Sequence, residues 1–313
     1  MVCMSEPPMP THHGVEAPVK GIFPNQTIEL LHKRASCRHF QEKPIPKETL
    51  DLILGAAVHA PSAGNLQAFS IIKIEKQETK EKLVKLCANQ RFIAEAPVNL
   101  VICVDERRNK RWAELDVAPF VYTHCNFWFL MDYQLTGIIA QTICIAADSL
   151  GLGSCYVGNA TAMAGPIAEL LELPEGVTVG TLISIGYPIE KPPTMKKHRL
   201  STLVHDEKYH DLPDDELLET CHEKYSAPGA PRVEITDKRL KRLYQTGLNV
   251  HGEEFAERSV AHARELGFIS PIQRYYGLHY RADSVLKMTN SNYIDVLDKQ
   301  GFNLCKDYKP QKP

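Results

Sequence analysis

Short apolar runs alternate along this chain with longer stretches in which apolar residues recur every three or four positions, the pattern of strands separated by helices. Residues 26–36 (QTIELLHKRAS) put Ile28, Leu30 and Leu31 on one stripe and predict a helix ending in a basic cluster. Pro46–Ala57 predicts a second helix, with Pro near its start, Glu48 in the first turn, and Leu50, Ile53 and Leu54 at helical spacing. Phe69–Ile74 (FSIIKI) is short and β-branched and reads as a strand. Thr79–Cys87 reads as a helix, and Val98–Val104, apolar on both faces, as a buried strand. The strongest helical period runs over Asp132–Leu150, through Leu135, Ile138, Ile139, Thr142, Ile145, Ala146 and Leu150, with Gly151 and Gly153 supplying the stop. A strand at Ser154–Val157, a short helix at Gly165–Leu171 and a last core strand at Thr178–Tyr187, ended by Pro188, follow. Long helical connections between β segments predict an α+β fold, a sheet flanked by helices.

Pro192-Pro193 and the polar run Lys196–Arg199 close this core, and beyond about His205 the composition changes. Helical patterns continue at Asp214–Tyr225, Thr236–Tyr244 and Glu253–Leu266, but apolar residues become sparse. That region is expected to pack on the core or on a partner chain rather than fold alone. The expected layout is a flexible proline-rich tail over 1–25, a core domain over 26–205 and a helical extension over 206–313.

Composition narrows the function classes. Of 313 residues 43% are hydrophobic and 24% charged, ordinary for a globular protein. Lys+Arg number 36 against 38 Asp+Glu, so a general nucleic-acid binder, which needs a basic excess, is disfavoured. Gln141, Thr142, Asp148 and Ser149 interrupt the most apolar stretch, Leu135–Leu152, which therefore falls short of a membrane span. The N-terminus has no apolar signal core. The nine cysteines form no CxxC pair, and several sit in apolar runs, which points to a reducing cytoplasm with neither disulfide framework nor zinc site.

Four polar clusters interrupt or end apolar elements. Arg34-Ala35-Ser36-Cys37-Arg38 sets two guanidiniums around a hydroxyl, suited to a phosphate, although a solvated helix end has the same composition. Pro61-Ser62-Ala63-Gly64-Asn65-Leu66-Gln67 combines small residues, which let a flat ligand approach the backbone, with amides and a hydroxyl; an ordinary turn reads alike. Gly151–Gly158 (GLGSCYVG) follows a helix and enters a strand, the reverse of a Rossmann phosphate turn, and helix termination alone accounts for its glycines. Lys196–Arg199 (KKHR) is a basic run of the kind that usually covers a solvated face.

In this order and at these separations the clusters resemble the nitroreductase family of flavoproteins. The resemblance covers about residues 26 to 205 and rests on RASCRHF, APSAGNLQAF, IAEAPVNLVIC, AQTICIAADSLGLGSCYVGN and ISIGYPIEKPPTMKKHR. It implies a nitroreductase-like α+β domain, an obligate homodimer, and FMN held non-covalently at the dimer interface. Carried over by position, Arg34, Ser36 and Arg38 would hold the FMN phosphate and ribityl chain, with Lys197 and Arg199 completing the phosphate grip. Pro61, Ser62 and Asn65, from the other subunit's loop or its neighbourhood, would face the ring system with Gln67 nearby. The backbone of Cys155, Tyr156, Val157 and Gly158 would lie along flavin N5 and the pyrimidine edge. NADH or NADPH would deliver hydride to the flavin in a ping-pong cycle, and a nitroaromatic, quinone or other conjugated small molecule would accept it.

The chain departs from that pattern in places. Ala68-Phe69 stands where the family often has Pro-Trp, and the region from Cys103 to just past Asp132 is unusually aromatic (Trp112, Phe120, Tyr122, Phe127, Trp128, Phe129, Tyr133); part of it reads as a lid over a flat substrate, with aromatic core or dimer contact the expected role for any single residue. Glu114 and Tyr122 fall where a dehalogenase of the iodotyrosine type would clamp its substrate, but no triad emerges. Dehalogenation, enone reduction and non-catalytic flavin binding remain the alternatives.

Overall fold

The computed structural model describes residues 23–120, 125–226, 233–281 and 283–304. Its elements in chain order are α1 (Gln26–Lys33), α2 (Lys47–Val58), β1 (Phe69–Ile74), α3 (Gln77–Leu86), β2 (Val98–Asp105), α4 (Glu106–Leu115), α5 (Asn126–Ser149), β3 (Gly153–Tyr156), α6 (Ala164–Leu170), β4 (Val177–Gly186), α7 (Asp214–Ser226), α8 (Asp237–His251), α9 (Glu253–Leu266) and α10 (Val285–Lys299), with short helical turns between. All four strands lie where the hydrophobic pattern puts them, to within one residue at each end. They form one antiparallel sheet in the order β1-β2-β4-β3, so β1 and β3 are its edges.

Two compact units divide the chain. The larger holds residues 27–194 and the chain from 287 onward; the smaller is built mainly from 195–286. The hundred residues past the core therefore do not stay together, because most of α10 belongs with the sheet.

β2 is buried along its whole length, so its residues serve both layers. Val101 and Cys103 join Leu83, Ile93, Ile167 and Leu182 on one face. Leu100 and Ile102 join Leu50 and Ile53 of α2 and Leu135, Ile139 and Ile143 of α5 on the other. Val104 meets Phe129 of α5 and Leu297 and Phe302 of the returning C-terminal segment. Phe129, one of the aromatic residues considered for a lid, is thus core. Tyr122 falls outside the described residues. Trp112 and Phe127 are exposed, so burial does not explain them.

The long helix begins earlier than its period suggested. Counted from Asn126 it has 24 residues and is, by length and composition, long and apolar enough to cross a membrane. Its apolarity has a use in the fold: Leu135, Ile139, Ala140, Ile143, Cys144 and Ala147 are buried against the sheet. In the smaller unit α8 and α9 pack through Leu240, Leu243 and Ala263 onto Ile269, and Thr236 caps α8 by accepting from Arg239 N at 3.3 Å.

Candidate functional site

The site builds from β3, the short edge strand. Residues after α1 run beside it: Ser36 and Ser154 form a parallel bridge, and Cys37 N donates to Ser154 O at 2.9 Å. A side chain on Gly153 would place its Cβ 2.6 Å from Cys37 Cβ, so glycine is required for this close approach. The pairing carries Arg34 inward. Its Nη2 donates to Ser154 Oγ at 3.3 Å, its guanidinium lies 5.8 Å from the Tyr156 ring centroid, and its Nε sits 3.7 Å from Asp148 Oδ2. Arg34 Nε is buried without a hydrogen-bond partner. Burial works against the Arg34 charge, but Cys144, Asp148 and Tyr156 around it hold the guanidinium more firmly protonated. Burial pushes the Asp148 carboxyl up to about 6, against the pull of Arg34 and Lys191.

Cys155 and Val157 are buried, and Val157 N already donates to Leu182 O at 2.9 Å. Burial pushes up the Cys155 thiol and the Tyr156 phenol, which donates to Gln141 Oε1 at 3.3 Å. Gly158 is exposed beyond the strand, with open space where a Cβ would stand. Exposed Arg38 lines a cavity of about 290 Å³ with Cys37, His39, Ile189, Glu190, Pro192 and Pro193. One edge of the sheet thus collects Arg34, Ser36, Arg38 and the Cys155–Gly158 backbone.

The Pro61–Gln67 loop stands elsewhere. It leads into β1, the opposite edge, so three strand spacings, about 14 Å, separate the two groups across the sheet. Gly64, Asn65 and Gln67 have φ of 56°, 55° and 51°, left-handed values that cost a non-glycine residue energy. Ser62 Oγ accepts from Gln67 N at 3.2 Å and so shapes the loop itself, while Gln67 Nε2 donates to Val58 O at 3.0 Å and ties the loop to the end of α2. Asn65 is exposed. Ala68 and Phe69 are buried, so the residues replacing Pro-Trp pack into the domain.

Lys197 and Arg199 belong to the smaller unit. Lys197 is exposed; Arg199 Nη2 bonds to Glu223 and lies 3.5 Å from Glu219, both on α7, and the Glu223 bond holds Arg199 protonated. Two groups, one beside Arg34 and one beside the Pro61–Gln67 loop, have no signal in a local motif. Asp148 reads from sequence only as a polar break in an apolar helix. Arg108 sits in a basic run, RRNKR, that reads as a solvated face. In the structure Arg108 Nη2 bonds to the carbonyls of Gln67 and, at 2.8 Å, Phe69.

The donor set at the β3 edge fits a phosphate ester: two guanidiniums, one with a buried unpartnered N–H, beside two serine hydroxyls. Comparison with known proteins identifies the family. The model of the nitroreductase family matches residues 31–187. The chain is 34% identical to an FMN reductase [NAD(P)H] of Bacillus subtilis over 286 residues, covering 90% of this chain and all of that one. It is 31% identical to an NADPH-flavin oxidoreductase of Vibrio harveyi, covering 62% of this chain and 78% of the other. A crystal structure of nitroreductase A from Vibrio parahaemolyticus superposes with a TM-score of 0.60 at 31% identity, over 64% of this chain and 84% of that one. A crystal structure of an oxidoreductase from Bacteroides fragilis reaches a TM-score of 0.73 at 26% identity, over 88% of this chain and 99% of that one. The last match and the Bacillus match both reach well past residue 206, so the C-terminal region has counterparts in relatives.

Proposed function

The chain belongs to the nitroreductase family, and on that premise we propose that it is an FMN-dependent, NAD(P)H-linked oxidoreductase that reduces a conjugated small-molecule acceptor. When bound at the residues named below, FMN would supply the two-electron chemistry that couples oxidation of the nicotinamide to reduction of the acceptor. The protein's part is to bind, orient and exclude water.

The observation that carries this reading is the half-buried guanidinium of Arg34, joined through Ser154 to β3, the strand that leads to Gly158. It links a phosphate-binding cation directly to the backbone edge assigned to the flavin ring. Arg34 and Arg38 would hold the phosphate with Ser36, while the Cys155–Gly158 backbone would border the ring. Lys197 and Arg199 are proposed as further phosphate cations, although Arg199 would have to leave or share its two carboxylates. The distance between β3 and the Pro61–Gln67 loop supports a homodimer in which each ring-facing loop serves the partner's β3 edge. Buried thiols at Cys37, Cys87, Cys103 and Cys144 suit a reducing cytoplasm.

Purified protein should be yellow, bleach on anaerobic addition of NADPH or NADH, and regain its colour when a quinone or nitroaromatic is added. A yellow protein that resists bleaching would favour a flavin-binding role without catalysis; a colourless one that takes up no FMN would refute the reading. Arg38→Ala should raise the Kd for FMN about 10- to 100-fold, the worth of one charge-assisted contact at roughly 1.5–3 kcal/mol. Fluorescence titration of apoprotein measures it, and an unchanged Kd would remove Arg38 from the phosphate site.

A further inference from the structure

The Pro61–Gln67 loop holds three residues at left-handed φ, two of them not glycine, immediately before β1. Such a backbone persists only where its surroundings over-determine it. From its N-terminal side the loop is held by its own bonds: Asn65 N donates to Ser62 O at 3.0 Å, Leu66 N to Ala63 O at 3.1 Å, and Gln67 N to Ser62 Oγ at 3.2 Å. These would survive if the whole turn tilted as a unit. Phe69 N, which donates to Gln67 O at 2.7 Å, and Asp105 N, which donates to Ala68 O at 3.0 Å, tie the end of the turn to the sheet, and the side-chain tie is Arg108, a residue of α4, 41 positions beyond Gln67.

One guanidinium makes four connections. Nη2 donates to the Gln67 carbonyl and to the Phe69 carbonyl at 2.8 Å. Nη1 donates to Ser70 Oγ at 3.2 Å and to Asp105 Oδ2 at 3.4 Å. Ser70 in turn donates to Asp105, and Asp105 caps α4 by accepting from Arg108 N at 3.0 Å. The fork is therefore fixed at its base by the helix cap, over its plane by the Trp112 ring at 5.4 Å, and at its tips by the strand. A planar guanidinium can reach two carbonyls and a hydroxyl at once; a lysine ammonium, a point donor on a flexible stem, cannot.

We propose that Arg108 is a positioning residue for the flavin. It does not touch the cofactor, but together with Phe69 N it fixes the Gln67 carbonyl, and through it the left-handed turn that presents Asn65 to the ring with Gln67 nearby. The proposal rests on the FMN reading above and goes beyond it, because Arg108 lies outside every motif that carries the family resemblance.

The test compares wild type, Arg108→Lys and Arg108→Ala as full-length protein, with FMN as the probe. Three quantities are measured: the melting temperature of apoprotein, the Kd for FMN, and the midpoint potential of bound flavin. Arg108→Ala should raise the Kd about tenfold or more, as expected for losing charge-assisted contacts, and should shift the potential; Arg108→Lys should recover part of both. A purely structural role would lower the melting temperature and leave the potential of bound flavin unmoved, which would overturn the proposal. So would Kd values within about twofold of wild type in both variants, a difference of under half a kcal/mol. If the alanine variant does not fold, the lysine variant decides by the same two readouts. Wild-type protein that binds no FMN would sink the functional reading itself, an outcome visible before any variant is made.

Discussion

Glu106 is fully buried directly after β2, and neither of its carboxylate oxygens has a hydrogen-bond partner; Asn109 and Thr178 nearby in the fold are also buried and unpartnered. Burial, with the neighbouring Asp132 charge adding to it, pushes the Glu106 carboxyl up to about 8. Asp132 itself is pushed to about 6 by burial. Both folded values lie above the ordinary ones of 4.5 and 3.8, so in the windows between, the native state binds more protons than the unfolded chain. Stability must then fall as pH rises, by up to about 1.4 kcal/mol per pH unit for each group while its window lasts. Chemical denaturation of the apoprotein between about pH 5 and pH 8 should show the decline, and Glu106→Gln, neutral at every pH and similar in shape, should flatten it above about pH 6, beyond the folded values of Asp132 and Asp148. Parallel profiles for the two proteins would show that Glu106 is ionised or otherwise compensated in the fold.

The long helix α5 meets the sheet at a bulge: the β2–β4 register shifts between Ile102 and Cys103, leaving Gly180 as the extra residue. Its carbonyl is taken by Thr161 Oγ1 at 2.9 Å and Tyr133 OH at 3.3 Å, and a Cβ there would stand 2.7 Å from Thr136 Cβ. Gly180→Ala should therefore push α5 off the sheet and cost about 1–3 kcal/mol, the usual penalty for overpacking. A lowered denaturant midpoint with an unchanged m-value would be the signature, and a midpoint equal to wild type would show that the helix yields freely. Elements of this kind differ in how well the sequence reveals them. FSIIKI and VNLVICV read directly because β-branched runs bounded by charge have few alternatives. The start of α5 lies six residues before its apolar period, hidden because Cys125 supplies no capping side chain and the aromatic run before Asp132 carries no clear period. Helix α4 was not legible at all: ERRNKRWAEL has no apolar stripe, and what nucleates it is the Asp105 cap and its bonds to a strand 35 residues earlier. The site shows the same division. The order of motifs exposed Arg34, Ser36 and the β3 turn, but the Arg34–Ser154 contact spans 120 positions and the Asp148 pair beside it leaves no local trace.

Within the larger unit, the two halves of the proposed flavin site lie on opposite edges of one sheet. The face of α5 turned away from the sheet is apolar where solvent would favour charge: Phe127, Leu130 and Ile138 are exposed there, and Leu52 and Val58 are exposed on α2, which packs beside α5 in the core. Each helix also carries an exposed interior glycine, Gly137 and Gly55, with open space around it, although glycine costs a helix about 1 kcal/mol relative to alanine. Neither glycine is needed by the chain's own packing, whereas close approach of a second backbone would explain both. A homodimer formed across this face would cover the apolar residues and could bring one chain's Pro61–Gln67 loop to the other's β3 edge. Ile138→Glu places a charge in the middle of that surface and leaves the monomer core untouched. Sedimentation equilibrium should show wild type as a dimer and Ile138→Glu as a monomer, with FMN retained by the first and lost by the second. The wild-type melting temperature should also rise with protein concentration, as mass action requires when folding and association are linked. A monomeric variant that keeps its flavin would show that one chain closes the site alone, and the assignment of the Pro61–Gln67 loop to a partner would have to be given up.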